Sequence, residues 1–181
     1  MDDAAFRDGL SRPEADPRTV IERMGARPLS CLRLYRPSEA DVAEASAAIG
    51  IELARAPNRV NGGGPRSLRL APGEWLLLDV PNATELSRQL GKRLHHMSDL
   101  TAGRTTWAVR GGGASDLLQA GCSLDLDFDV FPPGGGVRTL LAQVSVVILR
   151  PSDASRFEVI ADYSHTAYLQ SWFREVIQGR E

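Results

Sequence analysis

Three consecutive glycines follow an apolar stretch and precede a short amphipathic segment, which is the usual setting of a phosphate-binding turn. The apolar stretch begins at Arg104 and reads RTTWAVR. A dinucleotide-binding turn requires the pattern GxGxxG, in which the last glycine lets the helix approach the strand. Gly111 and Gly113 occupy the first two positions, but Asp116 stands at the third, where its carboxylate would repel a pyrophosphate. We therefore predict a tight turn between a strand and a helix, and no phosphate site.

Three aspartates at alternate positions, Asp125, Asp127 and Asp129, raise the question of a calcium site. An EF-hand loop requires glycine at its sixth position and glutamate at its twelfth. Counted from Asp125, these positions hold Val130 and Gly136. We predict instead that the carboxylates lie on the solvent-facing edge of a strand, where charge discourages pairing with another chain.

The histidines and cysteines form no local catalytic or metal-binding motif. His95 and His96 are adjacent, so on a strand they would point to opposite faces and could not bind one ion. His165 stands alone, and Cys31 and Cys122 are far apart and belong to no CxxC pair. Neither HExxH nor a nucleophile elbow occurs. The sequence makes no positive case for a catalytic site, although folding can assemble one from distant residues.

Composition and charge narrow the class of protein. The chain has 181 residues, of which 43% are hydrophobic and 24% charged, and its formal net charge is -2. These values are ordinary for a soluble globular protein and give no electrostatic reason to expect nucleic-acid or membrane binding. The N-terminal segment is acidic at its start and lacks the apolar core of a signal peptide, and no apolar run approaches the ~20 residues of a membrane span. We expect a cytoplasmic protein.

Periodicity divides the chain into an arm and two similar units. Residues 1–27 are predicted to be an N-terminal arm, in which Asp16-Pro17 begins a short helix. Residues 28–95 have the pattern of strand, helix, strands and helix, and residues 96–181 repeat this order. Such a pattern favours antiparallel-rich sheets with helices packed on them. The predicted fold class is α+β, with duplicated strand–helix–strands–helix subdomains.

The two units can be aligned residue against residue. The segment EWLLLDVPNATELSRQLGKRL falls on RFEVIADYSHTAYLQSWFREV with a constant shift, and RSLRL matches RTLLA. The aligned pairs are Trp75 with Phe157, Leu77 with Val159, Asn82 with Ser164, Leu86 with Tyr168, Leu90 with Trp172 and Leu94 with Val176. Strand, helix cap and apolar helix face all fall in register. We therefore predict two diverged copies of one module.

Arginines and a tryptophan are the candidates for contact with a partner. Arg66 and Arg138 are predicted to occupy equivalent places in the two units, and Arg104 and Arg110 flank a strand that carries Trp107. Arginine and tryptophan are over-represented in protein interfaces. We predict that Arg104, Trp107 and Arg138 belong to a partner interface, with an ordinary salt-bridged surface as the alternative.

A series of short motifs occurs in a distinctive order over roughly residues 28–178. They are Glu74-Trp75, Asp99-Leu100, Arg104-Thr105, the glycine turn and helix from Gly111 to Leu118, the segment from Gly121 to Leu126, Phe131 to Gly134 and Thr139 to Leu141. The series resembles the gamma subunit of bacterial heterotetrameric sarcosine oxidase. That family is similar in turn to the folate-binding fold of the glycine-cleavage aminomethyltransferase, which is itself a duplication.

The resemblance implies a role and a set of partners. In such complexes FAD, FMN, NAD and zinc are carried by the other subunits, and tetrahydrofolate binds the alpha subunit. The gamma subunit resembles a non-catalytic descendant of the folate-binding fold that packs against the alpha and beta subunits. This implies a structural subunit of a complex that demethylates sarcosine or a related N-methyl amine. No catalytic, cofactor-binding or metal-binding residue is then expected in this chain.

Two alternatives stay open at this point. The chain could be a standalone folate-binding module for one-carbon transfer, with Asp99 or Glu74 supplying the carboxylate that a pterin ring requires. It could also be an orphan homologue that binds a different oxidase.

Overall fold

The strands of this chain form two antiparallel sheets. The computed structural model describes residues 19–61, 64–80, 82–152 and 156–179, and within them each sheet has five strands. The strands are β1 (Val20–Arg23), β2 (Leu29–Leu34), β3 (Val60–Asn61), β4 (Arg66–Ala71), β5 (Glu74–Leu78), β6 (His95–Asp99), β7 (Arg104–Arg110), β8 (Gly136–Leu141), β9 (Val144–Leu149) and β10 (Arg156–Asp162). The helices are α1 (Glu39–Ile49), α2 (Ala83–Leu90), α3 (Ala114–Gln119) and α4 (Thr166–Gln178), and a 3-10 turn at Tyr163–His165 precedes α4. Within these described ranges, no helix has the length and hydrophobicity to cross a membrane.

The first sheet has the strand order β3-β4-β5-β2-β6, and α1 and α2 pack on one of its faces. Ser38 begins α1 through a capping box with Asp41, and Gly50 ends it in the left-handed conformation at φ 66°. Asn82 caps α2 by accepting the backbone N–H of Glu85. Both helices therefore begin at a residue whose side chain accepts a hydrogen bond from the first turn.

The second sheet has the order β1-β7-β10-β9-β8, with α3 and α4 on its outer face. Two local predictions fail in this half of the molecule. Val20–Arg23, predicted as helix, is an edge strand because pairing with β7 satisfies its backbone; the predicted cap at Asp16-Pro17 lies outside the described residues. Asp125 to Asp129, predicted as an edge strand, is an irregular segment that ends in a turn, since the Asp125 carboxylate accepts the Asp127 N–H at 2.9 Å.

The edge strands that precede β2 and β7 in sequence are exchanged between the two sheets. The strand β1 precedes β2 in sequence but pairs with β7, whereas β6 precedes β7 but pairs with β2. With this exchange the sheets have the same topology, since β2, α1, β3, β4, β5 and α2 correspond in order to β7, α3, β8, β9, β10 and α4. The predicted α+β class with duplicated subdomains is confirmed. The limits 28–95 and 96–181 stay a prediction.

The predicted alignment of the units holds in the strands and shifts by one residue in the helices. Trp75 on β5 and Phe157 on β10 are both buried, and each lies on the middle strand of its sheet. Leu86 of α2 is buried, but its aligned residue Tyr168 is exposed and Leu169 takes the buried place, because the 3-10 turn before α4 rotates the helix. The match of RSLRL with RTLLA is wrong, and with it the equivalence of their arginines, because β4 lies inside its sheet and β8 at an edge.

The two sheets pack face to face, so the fold has four layers. Alternate residues of β5 separate the layers: Trp75 and Leu77 face the helices, whereas Leu76 and Leu78 face the second sheet. The second sheet completes this inner layer with Val147, Leu149 and Ile160. Burial of one such aliphatic side chain contributes about 1.5–3 kcal/mol. The inner layer therefore holds the two units together as one body.

Candidate functional site

A cleft of about 380 Å³ lies between the two sheets, beside the apolar layer that joins them. Its floor includes Leu76 and Ile160, which belong to that layer. Polar side chains surround the floor; these are Arg33, Glu74, Ser98, Arg104, Arg138, Ser145, Asp162 and His165. A pocket of this size with an apolar floor and a few polar groups is typical of a ligand site. Whether the cleft can bind a ligand or transfer a proton therefore depends on the state of the charged groups around the floor.

Glu74 is the acidic group of the first wall. It lies opposite Arg33 on the neighbouring strand β2, and Arg33 Nε donates to its carboxylate at 3.0 Å. Arg138 reaches the same carboxylate from β8, so this ion pair links the two sheets. Burial would raise the pKa of Glu74, but Arg138 and Arg33 together hold that pKa below its ordinary value. Glu74 is thus ionised at neutral pH and occupied by two guanidinium groups.

The second wall carries a matching ion pair. Arg104 and Asp162 face each other across β7 and β10, with Arg104 Nη1 2.6 Å from Asp162 Oδ2. Asp162 also accepts hydrogen bonds from the hydroxyl and backbone N–H of Ser164. The Ser164 hydrogen bonds, followed by the charge of Arg104, lower the pKa of Asp162. The charged groups of both walls therefore satisfy one another.

Cys31, His95 and His96 provide neither an activated nucleophile nor a shared metal site. Cys31 lines it, but burial raises the pKa of the thiol and so keeps it protonated and unreactive. His95 hydrogen-bonds to Ser87 and His96 to Ser98, so the two rings are engaged separately. Across the described ranges, no three His, Cys, Asp or Glu side chains gather where they could hold a metal ion.

A second group of charges, centred on the buried Glu158, lies between the sheets and was not predicted from the sequence. Glu158 on β10 is 0% exposed. Its carboxylate forms ion pairs with Arg27 Nη1 at 2.5 Å and with Arg156 Nη2 at 2.9 Å. Arg27 also contacts Asp79 at 2.6 Å, and Arg66 contacts Asp79 and Glu158 at 3.1 and 3.4 Å. Burial opposes the ionisation of both carboxyls, but these arginines hold the pKa values of Glu158 and Asp79 below normal. We call these five residues the inter-sheet ion network.

A sequence signal for this network does exist. Glu158 interrupts the apolar strand RFEVIAD, where a charged residue must either be paired or leave the core. Its partners come from the segment before β2, from β4 and from β10 itself, so only the folded chain brings them together. The network is structural, because each of its carboxylates already has two or more arginine partners.

The three predicted interface residues lie in different environments. Arg104 on β7 and Arg138 on β8 both line the cleft from the second sheet, so the fold brings them to the same site. Trp107 is 1% exposed and packs edge-on against Phe173 in the core of the second unit. Trp107 therefore belongs to the interior, which corrects its prediction as an interface residue. A partner contact for Arg104 and Arg138 stays a prediction.

The glycine turn and the aspartate-rich segment are structural. Gly111 has φ 97°, a conformation that favours glycine, and its carbonyl accepts the Ala114 N–H, so the turn closes directly onto α3. The predicted tight turn is confirmed. Asp127 accepts hydrogen bonds from Ser115 and Gln119 of α3, and so attaches its segment to that helix.

Of the two carboxylates considered for a pterin ring, only Glu74 lines the cleft. Asp99 is exposed, and its carboxylate accepts the backbone N–H of Thr101 at 2.8 Å. Hydrogen bonds from Thr101 lower the pKa of Asp99. Asp99 thus ends strand β6 and begins the turn that follows it.

Comparison with known families decides the affiliation of the chain. The family described as "Sarcosine oxidase, gamma subunit family" matches residues 36–178, which is most of the sequence. The chain belongs to the sarcosine oxidase gamma subunit family. This membership confirms the resemblance drawn from the ordered series of motifs.

Known gamma subunits show the relation in more detail. The sarcosine oxidase subunit gamma of Corynebacterium sp. (strain U-96) is 28% identical over 141 residues, which cover 75% of this chain and 68% of that protein. A chain of the heterotetrameric sarcosine oxidase from Corynebacterium sp. U-96, solved in complex with pyrrole 2-carboxylate, superposes with a TM-score of 0.82 at 24% identity. The superposition covers 91% of this chain and 86% of that chain, so the two chains share nearly the whole fold.

The same fold occurs in a one-carbon enzyme. The glycine cleavage system aminomethyltransferase T from Bartonella henselae superposes with a TM-score of 0.63 at 15% identity, over 88% of this chain and 46% of that chain. This confirms the expected relation of the gamma subunit family to the aminomethyltransferase fold. At this identity the likeness concerns the fold alone.

Proposed function

We propose that this chain is a structural gamma subunit of a sarcosine oxidase-like heterotetrameric complex, to which it contributes surface and no catalytic group. Family membership supports the subunit role, and the similar solved structure is named as a heterotetrameric sarcosine oxidase. The observation that carries the non-catalytic part is the pairing within the cleft, where Glu74 and Asp162 are both held by arginines. A general acid or base must present a free position for proton transfer, and these carboxylates are already engaged by charged donors.

The partners in this proposal are the alpha and beta subunits of the complex. Oxidative demethylation of sarcosine or a related N-methyl amine takes place on them, and they hold the FAD, FMN, NAD, zinc and tetrahydrofolate that this chemistry uses. A cytoplasmic location is part of the same proposal. It is supported by Cys31 and Cys122, which are buried as free thiols, as is usual in a reducing compartment.

Expression with and without the partner subunits tests this proposal. Produced alone, the chain should fold, carry no flavin absorbance and show no sarcosine oxidation. Produced with the alpha and beta subunits, it should co-purify with them in a stoichiometric complex that is more stable than the alpha–beta pair. An alpha–beta complex of equal stability and activity in the absence of this chain would contradict the proposal.

A standalone folate-binding module is the second candidate, and the cleft is the observation that favours it. The cleft volume falls within the range of small-molecule sites, and the fold is shared with an aminomethyltransferase. The two arginines on Glu74 oppose it, because a carboxylate that binds a pterin must be free to do so. Titration of the isolated chain with tetrahydrofolate separates the candidates. Saturable binding that is lost in Glu74→Gln would favour the folate module, and absence of binding would favour the structural subunit.

A further inference from the structure

A groove with arginines on its rim lies on the first unit and shares no lining residue with the cleft. It is bounded by the connection from β2 to α1, the loop after α1 and the hairpin of β4 and β5, and its volume is about 230 Å³. Val42 and Trp75 contribute to its apolar floor. The charged residues that line it are Arg36, Glu39, Arg55 and Arg69. We call it the basic groove.

The cations of the basic groove are poorly matched by anions. Arg36 and Arg69 have no carboxylate partner among the described residues, and Arg69 Nη1 donates instead to the backbone carbonyl of Arg55 at 2.6 Å. Arg55 meets Glu39 at 3.8 Å, and both of these side chains are largely exposed. One glutamate therefore faces three arginines, on a chain whose formal net charge is -2. The groove is a local positive region on an acidic protein.

The walls of the basic groove are held in place by the backbone. Leu34 N–H donates to the Gly73 carbonyl at 2.8 Å, which ties the hairpin to the end of β2. Gly73 has φ 72°, and a Cβ there would lie 2.6 Å from the Leu34 carbonyl oxygen, so only glycine permits this approach. Arg36 has φ 42°, a left-handed conformation that is unfavourable for a residue with a side chain. The arginines thus project from a fixed frame.

Two exposed apolar side chains adjoin the basic groove. Leu94 is 71% exposed and Tyr35 is 65% exposed, and Tyr35 N–H donates to the Leu94 carbonyl at 3.2 Å. The Arg36 guanidinium lies over the Tyr35 ring, 5.4 Å from its centre. Arginine and tyrosine are enriched among the residues that dominate binding energy at interfaces. Exposed apolar side chains beside unpaired cations favour an occupant that has both carboxylates and an apolar side chain.

We propose that the basic groove docks an acidic segment of a partner subunit, an inference that rests on the proposed function. Carboxylates of that segment pair with Arg36 and Arg69, and an apolar side chain of the same segment covers Tyr35 and Leu94. Charge complementarity is the reason for this choice of occupant. Unpaired arginines at a fixed position attract carboxylates over several ångströms and align the partner before the apolar contact forms.

Charge reversal in the complete complex tests the proposal. The double variant Arg36→Glu with Arg69→Glu is compared with the control Arg88→Glu with Arg174→Glu, which reverses two exposed arginines on α2 and α4. Each full-length variant is produced with the alpha and beta subunits, and its affinity for the alpha–beta pair is measured at several salt concentrations. We expect the groove variant to bind about 30-fold more weakly or worse at low salt. The affinity of the control should stay within about threefold of the wild type. Cooperative thermal unfolding of both variants shows that each remains folded.

The salt dependence and the oligomeric state identify the occupant. Wild-type binding should weaken as salt is raised, whereas the residual binding of the groove variant should be nearly independent of salt. If the wild type fails to bind alpha and beta at all, the proposed function fails. If the wild type binds and the groove variant binds equally well, only the docking proposal fails. A wild-type dimer that the groove variant dissociates would make a second copy the occupant, and would overturn the proposal. An effect of the reversal that disappears when residues 1–18 are deleted would make the chain's own N-terminal segment the occupant, and would overturn it likewise.

Discussion

Replacement of Glu158 by glutamine should destabilise the protein by about 3–5 kcal/mol, the cost of removing one member of a buried ion pair. Glutamine keeps the shape of the side chain but removes the charge that Arg27, Arg66 and Arg156 share. The Glu158 side chain is 0% exposed, and those of Arg27 and Arg66 are 14% exposed, so solvent cannot replace the lost carboxylate. Whole domains are stable by about 5–15 kcal/mol. The variant should therefore lose a large part of the stability that keeps the two units together.

The same variant should change the dependence of stability on pH. The arginines lower the pKa of Glu158 in the folded chain, so as the pH falls the unfolded chain binds a proton first. Glu158 therefore stabilises the protein above the ordinary glutamate pKa of about 4.3. This contribution is lost as the pH falls through the lower folded-state pKa. Glu158→Gln lacks this titration, so its stability should fall less steeply than that of the wild type over the same acid range.

Urea unfolding followed by tryptophan fluorescence measures both effects. Trp75 reports on the core of the first unit, and Trp107 and Trp172 report on the second, so a single transition shows that the units unfold together. The matched control is Glu74→Gln, whose arginine partners are much more exposed and whose loss should cost about 1 kcal/mol or less. Two results would refute this account of the inter-sheet ion network. One is a loss of less than about 1 kcal/mol in the free energy of unfolding of Glu158→Gln, and the other is a fall of stability at acid pH as steep as that of the wild type.

Three further variants and probes test local features. Gln143→Gly should stabilise the protein by about 0.5–1 kcal/mol in thermal unfolding, because Gln143 has φ 67° in the β8–β9 turn; a loss of stability would contradict this. Gly121→Ala should destabilise it by about 1–3 kcal/mol and alter the near-ultraviolet circular dichroism, since the added Cβ would lie 2.5 Å from the Trp172 ring; wild-type stability would show that the ring moves freely. Cys31 and Cys122 should react slowly with a thiol reagent at neutral pH and rapidly in denaturant, because both are buried; fast native labelling of Cys31 would contradict its raised pKa.

Features encoded over short stretches of sequence were predictable. The capping box at Ser38, the stop at Gly50 and the cap at Asn82 depend on backbone groups within four residues. The duplication was predictable because alternation in strands and apolar spacing in helices are preserved between the units. The glycine turn was predictable because glycine permits the positive φ that Gly111 adopts between the strand and the helix. In each case the structure is determined by interactions between residues that are close in sequence.

Features that depend on distant pairing were not predictable. Nothing in the segment Val20–Arg23 shows that it completes the second sheet, since its partner β7 lies far along the chain. Trp107 is of a residue type enriched in interfaces, but it is buried by residues distant in sequence, among them Phe173 of α4. The inter-sheet ion network and the basic groove each combine segments that are separate in sequence. A single sequence contains the residues of such sites but no measure of their proximity.

Arg138 could support assembly of the complex in two ways, and the variant Arg138→Ala alone does not separate them. The basic groove and the cleft share the hairpin of β4 and β5, because Gly73 lines the groove and Glu74 lines the cleft. Arg138 binds Glu74 from the second sheet, so it could support assembly by anchoring the groove wall or by contacting a partner directly. Arg138→Ala would weaken assembly in both cases.

Glu74→Gln distinguishes the two roles of Arg138. It removes the anchoring charge but leaves the Arg138 guanidinium in place and freer to meet a partner. If Arg138 acts by anchoring, Glu74→Gln and Arg138→Ala should weaken binding of the alpha–beta pair to a similar extent. If Arg138 contacts a partner directly, Glu74→Gln should leave that affinity unchanged or raise it. Because the pair is partly exposed, we expect the anchoring effect to be small, about threefold in affinity. A larger loss in Arg138→Ala alone would therefore assign Arg138 to the interface.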